Sequence, residues 1–259
     1  MIAELVLLIG NLLYRGYQEL WFRFYYAPVF HRFLNHKFSY YTRLPWSLKV
    51  KFLREAKRHY DGFEFIVRDQ LKLTRGMKAI ISASAAQLTL FLPDESLDYY
   101  TKIILYRDFY NSKITQLRHK GEVNPGLRLI VFSWRGVMEG LKYKTDGINL
   151  LIHEFAHALW LEHKLVNAYD IFDGHWVYAF EQFAEQEMQR LQADETHFFR
   201  AYAFENMEEF FAVAAENFFE RSSKFKEAQP ELYRILVQLL KQDPQQRYAS
   251  HTQPKSVFR

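Results

Sequence analysis

The chain has 259 residues, 49% apolar and 25% charged, a balance that excludes a disordered or collagen-like chain and leaves room for one large core or two small ones. It has no cysteine, so disulfide scaffolds, thiolate nucleophiles and cysteine-held zinc are excluded, and any metal must be bound by histidine and carboxylate. The formal net charge of +4 is mild, and ten glycines against 24 phenylalanines favour helices over a turn-rich all-β fold.

Residues 1–60 form an aromatic, basic segment whose cations, from Arg15 to Arg58, face only Glu19 and Glu55 beyond its first turns. Apolar stripes predict helix over residues 2–35, and Pro45-Trp46-Ser47 opens a second helix to about residue 60. Met1 to Tyr14 is apolar but interrupted by Glu4, Gly10 and Asn11, with no early basic region and no cleavage site. It reads neither as a signal peptide nor as a membrane span, and a cytoplasmic protein is expected. The continuation through Trp21, Phe22, Phe24, Tyr25, Tyr26 and Phe30 is expected to pack on the core, the commoner outcome, or to rest on a membrane surface through residues 1–30. Aromatics interleave with cations as on a nucleic-acid platform, but no recognition motif accompanies them, and no nucleic-acid partner is expected.

Residues 61–242 read as a second domain. Alternating Phe63, Phe65 and Val67 predict a strand over residues 62–69, and Thr74 caps an alanine-rich helix to about Phe91, ended by Pro93. A strand is expected from Tyr99 to Tyr106, a turn at Glu122-Val123-Asn124-Pro125-Gly126, and the best strand of the chain at Leu127 to Phe132. As an edge strand, that last run is the candidate ledge for an extended peptide. Ser133 caps a short helix over residues 137–141, and Asp146-Gly147 leads into the helix that organises the chain.

That helix carries Leu151-Ile152-His153-Glu154-Phe155-Ala156-His157. Residues four apart lie one turn apart on one side of a helix, so His153 and His157 offer two corners of a tetrahedral zinc site, and Glu154 can reach a water there without binding the metal. Its flanks are apolar on nearly every face, and burying two histidines and a carboxylate without partners costs several kcal/mol, which a metal and its surroundings can offset. The chain then reads as loop from Trp160 to Gly174, helices over about 176–192, 206–221 and 229–241, and a glutamine-rich, frayed tail over 243–259.

A catalytic zinc needs a third protein ligand and an open position. His163 has the spacing of an H-E-x-x-H-x-x-G-x-x-H site, but Trp160 stands where glycine must break the helix, so a surface role is expected for it. Asp170 and Asp173 lie in a suitable loop without a supporting pattern. Glu209 and Glu216 sit two turns apart on an otherwise apolar helix, and spacing does not choose between them.

Tyr202-Ala203, Glu209-Phe210-Phe211-Ala212-Val213, Glu216 and Phe218-Phe219, together with the His153 to His157 run, resemble the Mlc titration factor A family of zinc peptidases. The resemblance covers roughly residues 70–220. It implies zinc ligands at His153, His157 and Glu209, a general base at Glu154 and an active-site tyrosine at Tyr202. It also implies a gluzincin with a lethal-factor-like catalytic core and aminopeptidase-like chemistry. The expected fold is α+β: a mainly helical, zincin-type metallopeptidase with a small mixed β-sheet and a buried H-E-x-x-H helix. The expected activity is zinc-dependent hydrolysis of a peptide or protein substrate. The alternative is a regulatory zinc-binding protein that sequesters a protein partner with little or no proteolysis.

Overall fold

The structure, a computed structural model, describes residues 10, 13–14, 16–111, 118–143, 145–166, 170–191 and 197–246. The chain divides into two compact units, one ending at Arg54 and the other beginning at Glu55.

In the first unit the chain is helical over residues 16–21, passes through a π turn (Phe22–Tyr26) and continues as α1 (Ala27–Lys37). Pro28 has no N–H to donate to the preceding turn, and it follows directly on the π turn, where Ala27 N–H already bonds Phe22 O and the helix is widened. Phe38 adopts an extended conformation that separates α1 from α2 (Ser39–Arg43), and α3 (Trp46–Gly62) follows Pro45. The sequence pattern predicts α1 and α3 but does not separate α2, and the expected helix start at residue 2 lies outside the described residues. Leu34, Tyr41 and Phe52 are fully buried, and the Tyr41 hydroxyl lies 2.7 Å from His31 Nδ1. The expected core packing of the aromatic stripe holds for Phe22 and Tyr26, which are buried, but Phe24 and Tyr25 are exposed. No described helix is long and apolar enough to cross a membrane.

The second unit is built on six strands: β1 (Glu64–Val67), β2 (Lys102–Tyr106), β3 (Tyr110–Asn111), β4 (Arg118–His119), β5 (Gly121–Asn124) and β6 (Leu129–Ser133). Four form a sheet in the order β1-β2-β6-β5, the first three parallel and β5 antiparallel to β6, while β3 and β4 pair separately. The run Leu129-Ile130-Val131-Phe132 therefore lies between two neighbours, which is why it reads as unbroken hydrophobicity. β5 is one of the two edge strands, and all of it but Gly121 falls in the segment expected to be a turn. The turn itself comes later, over residues 125–128, where Asn124 Oδ1 accepts the Leu127 N–H and Arg128 takes φ 54°.

Among the described residues seven α-helices complete this unit: α4 (Arg75–Thr89), α5 (Trp134–Lys142), α6 (Leu150–Leu165), α7 (Gly174–Leu191), α8 (Met207–Glu220), α9 (Ser222–Ala228) and α10 (Pro230–Leu239). Local side chains set their starts: Thr74 Oγ accepts the Met77 N–H, Ser133 Oγ that of Gly136, Asn149 Oδ1 that of Ile152 and Asn206 Oδ1 that of Glu209. α6 continues to Leu165, through residues expected to be loop. Its Glu162 is fully buried and accepts the backbone N–H groups of Leu97 at 2.7 Å and Tyr99 at 2.9 Å. The core gathers Phe63, Phe132 and Phe155 beside the sheet, and Trp160, Phe172, Phe180 and Phe211 between the helices. The result is the expected mainly helical α+β architecture with a small mixed sheet. The tail after residue 246 lies outside the described residues.

Candidate metal centre

Two buried helices bring the site together. α6 is fixed at its N-terminus by Asn149, and its apolar residues on all sides place it in the core, carrying His153, Glu154 and His157 inside with it. α8, capped by Asn206, packs along α6, and its alanines and phenylalanines leave Glu209 and Glu216 facing the histidines.

The imidazole Nε2 atoms of His153 and His157 lie 3.1 Å apart. Glu209 Oε2 is 3.3 Å from His153 Nε2, and Glu209 Oε1 is 3.3 Å from His157 Nε2. Donors about 2.0–2.1 Å from a tetrahedral zinc ion stand about 3.3 Å from one another, so the three groups fit such an ion. Among the described residues this is the cluster of three whose donor atoms all fall within 4.8 Å of one another.

The other side of His153 strengthens the fit. Its Nδ1 lies 3.3 Å from Glu216 Oε2, an oxygen that also accepts from Arg200 Nη2 at 2.6 Å. Glu216 Oε1 accepts the Asn149 backbone N–H at 2.7 Å, which satisfies both oxygens of a carboxylate only 1% exposed. A proton on Nδ1 directed at Glu216 leaves a lone pair on Nε2, turned toward Glu209 Oε2. That oxygen is buried without a hydrogen-bond partner, and lone pairs converging at one point call for a cation.

Electrostatics follow the same geometry. Burial works against a charged His153, but hydrogen bonds to Glu209 and Glu216 lift its pKa to about 10. Burial likewise raises Glu209, yet the close approach of His153 and His157 holds it well below the ordinary carboxylate range. Glu154 is pushed up by burial, partly offset by the two histidines. Burial and a 2.6 Å hydrogen bond donated to Glu209 Oε1 raise the pKa of Tyr202, a residue 43% exposed. Glu220, one turn beyond Glu216, is lifted to about 8 by burial, although the Asn149 side-chain amide donates to it at 2.9 Å.

The site opens into a cavity of about 540 Å³, with His153, Glu154 and Tyr202 on one side and Gly136, Glu139 and Asp146 among its other walls. Strand β5 reaches this cavity through Gly121, where a β-carbon would stand 2.4 Å from Glu154 Oε1. The ledge beside the site is therefore β5 rather than the central β6.

Of the sequence candidates, His153, Glu154, His157, Tyr202 and Glu209 come together. His163 stays on the unbroken α6, with its ring 5.4 Å from Phe172, and Asp173 accepts the His175 N–H at the start of α7. Neither belongs to the metal-binding cluster, and nor does Asp170. Sequence reasoning missed the positions of Arg200, Asn149 and Gly121. Arg200, two residues before Tyr202, was the one signal available: a cation next to a buried acid.

A sequence profile described as glucose-regulated metallo-peptidase M90 matches residues 23–241. An uncharacterized Synechocystis protein, slr2042, is 24% identical over 225 residues, 81% of this chain and 82% of that protein. Mlc titration factor A of Pectobacterium atrosepticum is 32% identical over 130 residues, 47% of this chain and 48% of that protein. Mlc titration factor A of Serratia proteamaculans is 28% identical over 195 residues, 67% and 72% of the two chains.

Proposed function

From a chain that belongs to the glucose-regulated metallo-peptidase M90 family, we propose a zinc-dependent peptidase of the gluzincin type, acting at the His153, His157 and Glu209 centre. The observation that carries this reading is the convergence of three donors at tetrahedral spacing beside a buried carboxylate, Glu154, that binds none of them.

His153, His157 and Glu209 hold the ion. When bound, zinc acidifies a water molecule and polarises the scissile carbonyl. Glu154, kept free for proton transfer by burial beside the ligands, takes a proton as the water adds to the carbonyl carbon. It returns that proton to the amine nitrogen as the C–N bond breaks. Tyr202 turns its hydroxyl from Glu209 to the carbonyl oxygen and stabilises the negative charge there, a contribution of about 3 kcal/mol for a donor of this kind. Glu216, held by Arg200 and the Asn149 N–H, orients the His153 ring. Strand β5 aligns an extended peptide across the cavity, and Asp146 in its wall suits the free amino group of an aminopeptidase substrate.

The name Mlc titration factor A on two relatives supports a second reading, a regulatory zinc-binding protein that captures a protein partner with little cleavage. A peptide-library cleavage assay with metal analysis, on wild type and Glu154→Gln, separates the two. The peptidase reading expects one zinc per chain in both proteins, cleavage by wild type, and a loss of roughly 10²- to 10⁴-fold in the variant. Undiminished hydrolysis by metal-loaded Glu154→Gln overturns the mechanism, and inert metal-loaded wild type favours capture.

A further inference from the structure

Seven of the fifteen exposed large hydrophobic side chains lie between residues 13 and 29, so the first unit holds the largest concentration of misplaced apolar surface in the described chain. Leu13, Tyr17, Leu20 and Phe24 are 70%, 61%, 57% and 69% exposed, and their spacing of four, three and four places them on one side of a helix. The opposite side is already occupied. Phe22 and Tyr26 are buried, the Arg54 guanidinium covers the Phe22 ring at 4.5 Å, and Glu19 accepts two hydrogen bonds from Arg54 at 2.6 and 2.8 Å. The exposed stripe is thus a second face, left over after the helix has packed within its unit.

Charge identifies what covers it. From residue 10 to residue 54 the sequence has eight lysines and arginines, and its one acid, Glu19, is spent on Arg54. Arg23, Arg32, Lys37 and Arg43 are exposed. A second copy of this unit would bring like charges together. A partner that takes aliphatic and aromatic side chains while supplying negative charge is the surface of an anionic bilayer. There a helix lies in the headgroup plane, its leucine and aromatic side chains reach the acyl boundary, and basic residues meet lipid phosphates.

We propose that the first unit docks this protein peripherally on anionic membranes, through the face formed by Leu13, Tyr17, Leu20 and Phe24, with the unit's exposed cations supplying the charge. The proposal is independent of the peptidase reading.

Flotation of the full-length chain with phosphatidylcholine vesicles, with and without phosphatidylglycerol, tests it. Wild type is expected to float only with the anionic vesicles and to be released by added salt. Leu20→Glu/Phe24→Glu, at two exposed positions, is expected to stay at the bottom of the gradient with an unchanged circular dichroism spectrum. Arg32→Gln/Lys37→Gln/Arg43→Gln, which keeps the stripe, is expected to bind roughly fivefold more weakly per cation removed. Wild type that never floats, or a Leu20→Glu/Phe24→Glu variant that floats as well as wild type, overturns the proposal. So does a wild-type dimer that does not float and that this variant dissociates, which assigns the face to a second copy. Capture of a soluble acidic protein in the absence of flotation overturns it as well.

Discussion

Glu216 and Gly121 show how residues that touch no substrate shape the site. Glu216→Ala removes the acceptor for His153 Nδ1 and leaves Arg200 beside an empty position, so zinc affinity is expected to fall roughly 10- to 100-fold, read by competition with a chromogenic chelator. Gly121→Ala puts a methyl group where Glu154 Oε1 now stands. Turnover should collapse while zinc content stays at the wild-type level, which separates displacement of the base from loss of the metal. The first three site residues were legible because their relation is local, a four-residue spacing on one helix. The choice between Glu209 and Glu216 was not legible from spacing, since both lie on one side of α8, and it was the family resemblance that pointed to Glu209. Only packing against α6 puts Glu209 beside Nε2 of His153 and Glu216 beside its Nδ1. Gly121 gave no signal at all, because a glycine needed for close approach looks like any other in a sequence.

At the scale of elements, β5, the proposed ledge for a peptide, has its free edge set by its pairing with β6. Ser133 N–H donates to Lys120 O, so in the alternating antiparallel pattern Glu122 and Asn124 turn their backbone groups toward β6, while Gly121 and Val123 turn theirs outward. Val123→Pro removes an outward N–H but none of the ladder bonds. It is expected to lower kcat/KM on extended peptides about tenfold or more with little change in Tm. The sequence hid this strand because Asn124-Pro125-Gly126 advertises a turn and the strand is only four residues long, Asn124 included. The end of α6 was hidden for a related reason. Glu162-His163-Lys164 is polar enough for a loop, yet Glu162 turns inward to the Leu97 and Tyr99 amides, a partner far away in sequence. Where the signal was a cap or an unbroken apolar run, as at Thr74, Ser133 and β6, element and position were readable.

For the whole molecule, acid stability rests on a second buried polar group. Burial raises Glu55, but hydrogen bonds from His59 and Arg58 outweigh it and hold the carboxyl at about 2. Its folded pKa lies below its unfolded value of 4.5, so its stabilisation is complete above pH 4.5 and is lost as pH falls toward 2. The size is roughly 3 kcal/mol, for a side chain only 13% exposed. Glu55→Gln should therefore lower Tm at pH 7 and flatten its dependence on pH between 5 and 2, measured by calorimetry. The mainly helical α+β class was legible from composition and periodicity. The split inside α3 at Arg54 was not, because a helix that runs through a boundary leaves no break in the pattern.

The metal centre has one more consequence, for the lifetime of the protein. An ion held as proposed would join His157 to Glu209, and everything between them, α7 included, would be a loop that the ion closes. Closing a loop of this length restrains the unfolded chain much as a cross-link does, and this chain has no disulfide to take over when the ion leaves. Trypsin, which needs no metal of its own, should cut the chelated form faster than the loaded form, with early cuts between residues 157 and 209. On the proposed metal binding, depleting the ion would expose the chain to proteolysis, and metal supply would set how much of the protein persists.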